Sequence, residues 1–266
     1  RFLLGNLYNF NKQNLVDPEE MPELERYILT RISILNEKLK ELVSKHDYHA
    51  IYTALLNFCT LELSAFYFDI RKDSLYCDDI KSIKRRSTST CLHIIFEFLT
   101  KWLSPIVSFT CEEAWKSRSY SNEESILLQN VKDDEFTYKD ISLEKVFEEL
   151  KRVRKSVTSA LELKRNEKLI GSSLQAKVIL FLSKDTQKII ADLDLAEMCI
   201  VSNVETHDIS NRSKESISIE DEEIYVEIKL ADGKKCERCW AVLQEVSSSK
   251  NNLCNRCDDV WKTFQK

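Results

Sequence analysis

The sequence predicts a mainly α protein: a helical bundle, then a small α/β region, then a C-terminal module built on four cysteines. Three observations predict it. Only three glycines and three prolines occur in 266 residues, and that scarcity of helix breakers favours long helices. Beyond Gly171 the texture turns to short β-branched runs. Near the C-terminus, two Cys-x-x-Cys pairs stand fourteen residues apart.

The elements follow in order. Asp17-Pro18 reads as an N-cap with proline at the first helical position. Leu24, Tyr27, Ile28, Ile32, Leu35, Leu39, Leu42 and Val43 then fall on one helical face. A second run with the same period comprises Tyr48, Ile51, Tyr52, Leu55, Phe58, Cys59, Leu63, Phe66, Tyr67 and Ile70. A third covers 87–103 and stops before Pro105, and Thr110-Cys111-Glu112-Glu113 reads as a capping box. A long fourth helix carries Leu143, Val146, Phe147, Leu150, Val153, Val157, Ala160 and Leu161 on one stripe, ending near Gly171 as a left-handed C-terminal residue. Residues 176–182 and 224–230 read as strands, the second half-buried by alternation. Residues 198–204 offer a third strand, and the polar, acidic 206–222 a loop. The expected division is therefore 1–134, 135–230 and 231–266.

Composition bounds the function. A hydrophobic fraction of 43% excludes wholesale disorder. The longest apolar candidate, 92–103, is interrupted by His93, Glu97 and Lys101, so no membrane span is expected. The chain opens Arg1-Phe2-Leu3-Leu4 with no initiator Met and no leader pattern, which reads as a soluble fragment of something longer. Nine cysteines is an odd number, and Cys59, Cys77, Cys91, Cys111 and Cys199 are scattered without pattern. That usage suits a reducing compartment, the cytoplasm. A net charge of −5 gives nucleic-acid binding no support from composition, so that question falls to motifs.

The strongest motif is Cys236-Glu237-Arg238-Cys239 with Cys254-Asn255-Arg256-Cys257. Each Cys-x-x-Cys turn puts two sulfurs on one side of a tight knuckle. Two knuckles complete a tetrahedron around one zinc ion and leave no position for water, so the site is structural. Two disulfides, a redox pair and an iron–sulfur cluster are the alternatives, the last because four thiolates serve iron equally well. The four histidines are His46, His49, His93 and His207. His46 and His49 have helical ligand spacing but no evident third ligand, and read as a helix surface. No Gly-rich phosphate loop and no nucleophile–base pair is present, so no catalytic residue is assigned.

The cysteine module, with Trp240 after the first knuckle, resembles the C-terminal zinc finger of bacterial-type isoleucyl-tRNA synthetases; a related finger occurs in formamidopyrimidine-DNA glycosylases. Further motifs resemble the same synthetases in their order: Arg1-Phe2-Leu3-Leu4-Gly5-Asn6-Leu7, the run from Leu63 through Asp69-Ile70-Arg71-Lys72-Asp73-Ser74-Leu75-Tyr76, Arg85-Arg86-Ser87, Trp102-Leu103-Ser104-Pro105-Ile106, Phe109-Thr110-Cys111-Glu112-Glu113-Ala114-Trp115, Ala160-Leu161-Glu162 and Ile170-Gly171-Ser172-Ser173-Leu174-Gln175-Ala176. Ser74 departs from the basic residue common there. The resemblance spans nearly the whole chain. It implies an anticodon-binding helical bundle, a junction domain and a four-cysteine zinc finger from a class I isoleucine–tRNA ligase, without the ATP-binding catalytic and editing domains. The implied partners are the anticodon stem-loop of isoleucine tRNA and the N-terminal catalytic half of the same protein, in a monomer with no membrane contact. The alternative is a stand-alone zinc-finger nucleic-acid-binding or DNA-repair accessory protein.

Sequence-specific RNA recognition uses unstacked loop bases, aromatic or guanidinium stacking, and polar contacts. Arg238, Trp240 and Arg256 on the knuckles, with Lys234 and Lys235 leading in, suit that task. Trp240 serves equally as a plug for the module's core, and the two arginines as groups that orient the sulfurs. Arg152, Arg154 and Arg165 belong to a basic stretch that either tracks phosphate or forms a solvated face among Glu148, Glu149, Glu162 and Glu167. Lys81, Lys84, Arg85 and Arg86 form another basic cluster at the entry to the third helix. Of Phe66, Tyr67 and Phe68, helical spacing turns two inward.

Overall fold

The computed structural model describes residues 1–118, 125–129, 137–219, 221 and 223–264. The chain forms two compact units, Arg1–Ile141 and Ser142–Lys266.

The first unit is helical. After α1 (Phe2–Asn6), Asp17 caps only a single 3-10 turn, Pro18–Glu20, and the long helix α2 (Glu23–Ser44) starts after Pro22. Leu24, Tyr27, Ile28, Ile32, Leu35 and Leu39 are buried as the period requires, but Val43 is exposed. His46 adopts a left-handed conformation (φ 57) between helices rather than sitting on one. Asp47 then caps α3 (Tyr48–Asn57) by accepting from the Ala50 amide at 3.0 Å.

The helical run continues through a π-wound stretch, Phe58–Phe68, into α4 (Asp69–Cys77). The wider π turn explains why Phe58 and Leu63, five apart, share the buried face. Phe66 and Tyr67 point inward, as expected of two of the three aromatics. Tyr48–Cys77 is 30 residues and contains an 18-residue window with a mean hydropathy of 1.2; by length and composition it is the one helix among the described residues able to cross a membrane. This differs from the expectation that 92–103 is the longest apolar candidate. Ile51, Leu55, Phe58, Leu63, Phe66, Tyr67 and Ile70 nevertheless bury one face of the run within the unit.

Ser82 caps α5 (Ile83–Leu103), which starts four residues earlier than its apolar period suggests. The capping box expected at Thr110 is not formed. Helix α6 (Ser108–Lys116) starts after Val107, so Thr110 lies inside its first turn.

One buried polar network joins α2, α4 and α5. Arg71 donates from Nε and Nη2 to the two carboxylate oxygens of Glu25 at 2.6 and 2.7 Å, and Tyr67 Oη and Thr88 Oγ1 donate to the same carboxylate at 3.0 and 3.2 Å. Glu25 is 0% and Arg71 1% exposed. Nearby, Trp102 Nε1 donates to Asn36 Oδ1 at 2.9 Å, tying α5 to α2.

In the second unit α7 (Ser142–Asn166) buries Leu143, Phe147, Leu150, Val153, Val157, Ala160 and Leu161. The left-handed residue after it is Lys168 (φ 62), not Gly171. The chain then builds β1 (Ala176–Leu182), α8 (Lys184–Ile189), α9 (Leu195–Cys199), β2 (Asn203–Asp208) and β3 (Tyr225–Leu230). Strand order is β2-β1-β3, with β1/β2 parallel and β1/β3 antiparallel. The third strand therefore lies later than 198–204, and 206–208 of the expected loop belong to it; positions 220 and 222 of that loop lie outside the described residues. In β3 the expected alternation breaks down: Val226, Glu227 and Ile228 are all buried and Leu230 is exposed. A two-stranded ribbon, β4 (Lys234–Lys235) and β5 (Val242–Leu243), and helix α10 (Asn255–Phe264) complete the unit.

Candidate metal centre and nucleic-acid interface

The β4–β5 ribbon carries the first knuckle on its connection, and the start of α10 carries the second. The ribbon requires a glycine at 233. Its φ is +118, and a Cβ there would meet the Leu243 carbonyl oxygen at 2.2 Å. Within the first knuckle the Trp240 amide donates to the Cys236 carbonyl at 3.0 Å, and Trp240 takes a left-handed conformation (φ 68) that lets the chain turn back into β5. The second knuckle is entered through left-handed Asn252 (φ 53), whose carbonyl accepts from the Glu237 amide at 3.1 Å. Glu245 braces α10 at its start, accepting from the backbone and side-chain nitrogens of Asn255 at 2.9 and 2.7 Å.

These turns bring Cys236, Cys239, Cys254 and Cys257 together. All four are buried, and their sulfurs lie within 4.8 Å of one another. The Cys239–Cys254 Sγ separation is 3.8 Å. Four thiolates about 2.3 Å from a central ion stand about 3.8 Å apart along the tetrahedron's edges, so the donor set fits one tetrahedral ion. All nine cysteines are free thiols, which removes the pair of disulfides. Burial pushes the Cys236 thiol up, but amides of Cys239, Cys254 and Arg238 donating to it prevail and bring it down to about 7. Burial raises Cys254 to about 11.

The sequence-selected cations divide into two settings. On the knuckle, Lys234 and Lys235 are exposed, Arg238 is half-buried, and Arg256 is exposed. Trp240 is 60% exposed, so it does not plug the module's core. Lys235 Nζ stands 5.1 Å from its ring centroid. On α7, by contrast, Arg152 is held by acids: Nε and Nη2 donate to Asp221 at 2.9 and 2.6 Å, and Nη1 donates to Glu149 at 2.9 Å. Those hydrogen bonds, Asp221's first, push the guanidinium's pKa still higher. Arg154 Nε donates to the Met198 carbonyl at 2.9 Å, and Arg165 pairs with Glu162. In the first unit Arg85 donates to the Asp78 carbonyl at 2.7 Å.

Supporting residues that motif reading passes over are Ser202, Gly233, Glu245 and Asn252. Gly233 alone had a visible signal, as one of three glycines in the chain.

Comparison with known proteins decides the family. Residues 25–180 match the model described as the anticodon-binding domain of tRNA ligase. The chain belongs to that family. Residues 233–260 match the zinc finger found in FPG and IleRS. Curated relatives include isoleucine–tRNA ligases of Ruegeria pomeroyi (38% identical, 97% of this chain, 27% of the relative), Pelagibacter ubique (41%, 91%, 26%) and Gluconobacter oxydans (38%, 98%, 26%). The resemblance to isoleucyl-tRNA synthetases is thus borne out, and the chain spans about a quarter of the length of these relatives.

Proposed function

We propose that this chain grips the anticodon stem-loop of isoleucine tRNA as part of a cytoplasmic, monomeric class I isoleucine–tRNA ligase, working with the catalytic half of the same protein. The observation that carries the reading is the anticodon-binding family match over 25–180 in one chain with a four-cysteine knuckle. One structural zinc ion, held by Cys236, Cys239, Cys254 and Cys257, fixes the knuckle's shape. A single ion suits sulfurs this close, whereas a multi-iron cluster spreads its thiolates over several metal atoms. Trp240 offers an exposed aromatic face for an unstacked base, with Lys234, Lys235, Arg238 and Arg256 around it for phosphates and base edges. Arg152, Arg154 and Arg165 serve the backbone further from the anticodon. The three working segments are 1–134, 135–230 and 231–266.

The test is binding of the purified chain to isoleucine tRNA and to the same tRNA with its anticodon exchanged. The expected result is tighter binding to the first, weakened by Trp240→Ala by about 1–3 kcal/mol, the worth of one base–aromatic stack. Equal affinity for both tRNAs refutes the anticodon reading.

A further inference from the structure

The four-cysteine module meets the β2-β1-β3 sheet across a polar groove of about 620 Å³, whose walls include Ser202, Asn203, Asp232, Val242 and Gln244. Among these residues Ser202 is half-buried, between α9 and β2. Its backbone amide donates to the Ala176 carbonyl of β1 at 3.2 Å, which fixes the residue to the sheet. Its hydroxyl donates to the Leu174 carbonyl at 2.5 Å and accepts from the Val242 amide of β5 at 2.8 Å. One side chain thus joins the sheet to the ribbon that carries the knuckle.

The connection runs directly to the metal ligands. Ala241, next to Val242, accepts from the Cys236 amide at 2.8 Å, and Cys236 in turn accepts from the Trp240 amide. Val242 pairs with Lys235 across the ribbon. Two residues, Val242 and Ala241, therefore separate Ser202 from Cys236 and from the exposed Trp240. A second link, from the Ala231 amide to the Gln175 carbonyl at 2.8 Å, joins main chain to main chain, so Ser202 supplies the side-chain link.

We infer that Ser202 is a positioning residue. Its hydroxyl sets the direction in which the four-cysteine knuckle presents Trp240 and Lys235, and so tunes RNA affinity without touching RNA or metal. The inference rests on the RNA-binding reading above. No motif marks Ser202, because its role depends on two carbonyl and amide groups 28 and 40 residues away in the chain.

The test uses the full chain, with Ser202→Ala to remove the hydroxyl and Ser202→Thr to retain it. Three quantities are measured: zinc per chain, hydrogen exchange at the Val242 amide, and affinity for the isoleucine tRNA anticodon stem-loop. Ser202→Ala is expected to keep its zinc, to exchange the Val242 amide about tenfold faster, and to bind RNA about three- to tenfold more weakly, the worth of one hydrogen bond. Ser202→Thr is expected to restore both. Unchanged exchange, or faster exchange with unchanged RNA affinity, overturns the positioning role while the RNA reading stands. Loss of zinc in Ser202→Ala also overturns it, because the residue then acts on the fold of the module. Failure of the unmodified chain to bind the stem-loop overturns the RNA reading and the positioning role with it.

Discussion

The Glu25–Arg71 pair gives the sharpest test of what holds the helical unit together. Both side chains are buried, at 0% and 1% exposure, and the guanidinium grips the carboxylate through two bonds of 2.6 and 2.7 Å. Tyr67 adds a third donor; burial raises its phenol well above the ordinary value, so it stays protonated and able to donate. Replacing Glu25 with Ala takes both carboxylate contacts from the buried Arg71 guanidinium and deprives Tyr67 and Thr88 of this acceptor. Breaking a buried pair from one side costs about 3–5 kcal/mol. Domains of this size are stable by about 5–15 kcal/mol, so the loss is about a fifth of the total at the least. Urea denaturation followed by tryptophan fluorescence measures it, since Trp102 and Trp115 are buried in this unit. The pair itself is a weak source of net stability, because desolvation offsets its attraction. Glu25→Leu with Arg71→Met should therefore recover most of the loss, and the double-mutant cycle should show a coupling above about 2 kcal/mol. A loss below about 1 kcal/mol for Glu25→Ala, or no recovery in the double variant, refutes the reasoning.

Two further outcomes are expected. Gly233→Ala forces a Cβ to 2.2 Å from the Leu243 carbonyl oxygen at a φ of +118; strain alone costs about 1–3 kcal/mol, and the variant should bind less than one zinc per chain by atomic absorption, a normal zinc content counting against the ribbon geometry. Glu227 titrates below its ordinary 4.5: burial raises it, but Lys229 and Ser213, at 2.7 and 2.5 Å, outweigh burial and lower it. Because the folded value is depressed, its contribution is complete above pH 4.5 and is lost as the pH falls below it; the urea midpoint of the second unit should drop over that acid range, less steeply in Glu227→Gln, and equal slopes would refute the assignment.

The helices and the cysteine site were legible because their signals are local. Apolar spacing reports directly which face of α2, α5 and α7 is buried, and Cys-x-x-Cys spacing reports a knuckle. The misread elements depend on distant partners. Strand β2, with the sequence Asn-Val-Glu-Thr-His-Asp, carries little apolar alternation because it is an exposed strand at the edge of the β2-β1-β3 sheet, paired to β1. Glu227 defeats the alternation of β3 because Ser213 and Lys229 make its burial tolerable. Lys168 takes the left-handed position expected of Gly171, while Gly171 donates its amide to the Gln175 side chain at 2.7 Å. The π-wound stretch has no sequence signature beyond the five-residue gap between Phe58 and Leu63.

The cations picked from sequence differ in what RNA must displace to reach them. On α7 the acidic partners were visible as spacing, since Glu149 and Glu162 each precede an arginine by three residues. The partner supplied from afar, Asp221, was not. A phosphate approaching Arg152 has to compete with three carboxylates already within hydrogen-bonding distance, those of Glu149, Asp221 and Glu223, so part of its attraction is spent on exchange. On the knuckle, Lys234 and Lys235 stand exposed on the ribbon, and Lys235 lies beside the ring of Trp240. Contacts there release counterions without breaking a carboxylate pair of the kind Arg152 makes, and they should dominate the salt dependence of RNA binding. On the proposed reading the acidic net charge of the chain is no obstacle, because binding draws on the small cationic surface around the knuckle rather than on the charge of the whole chain.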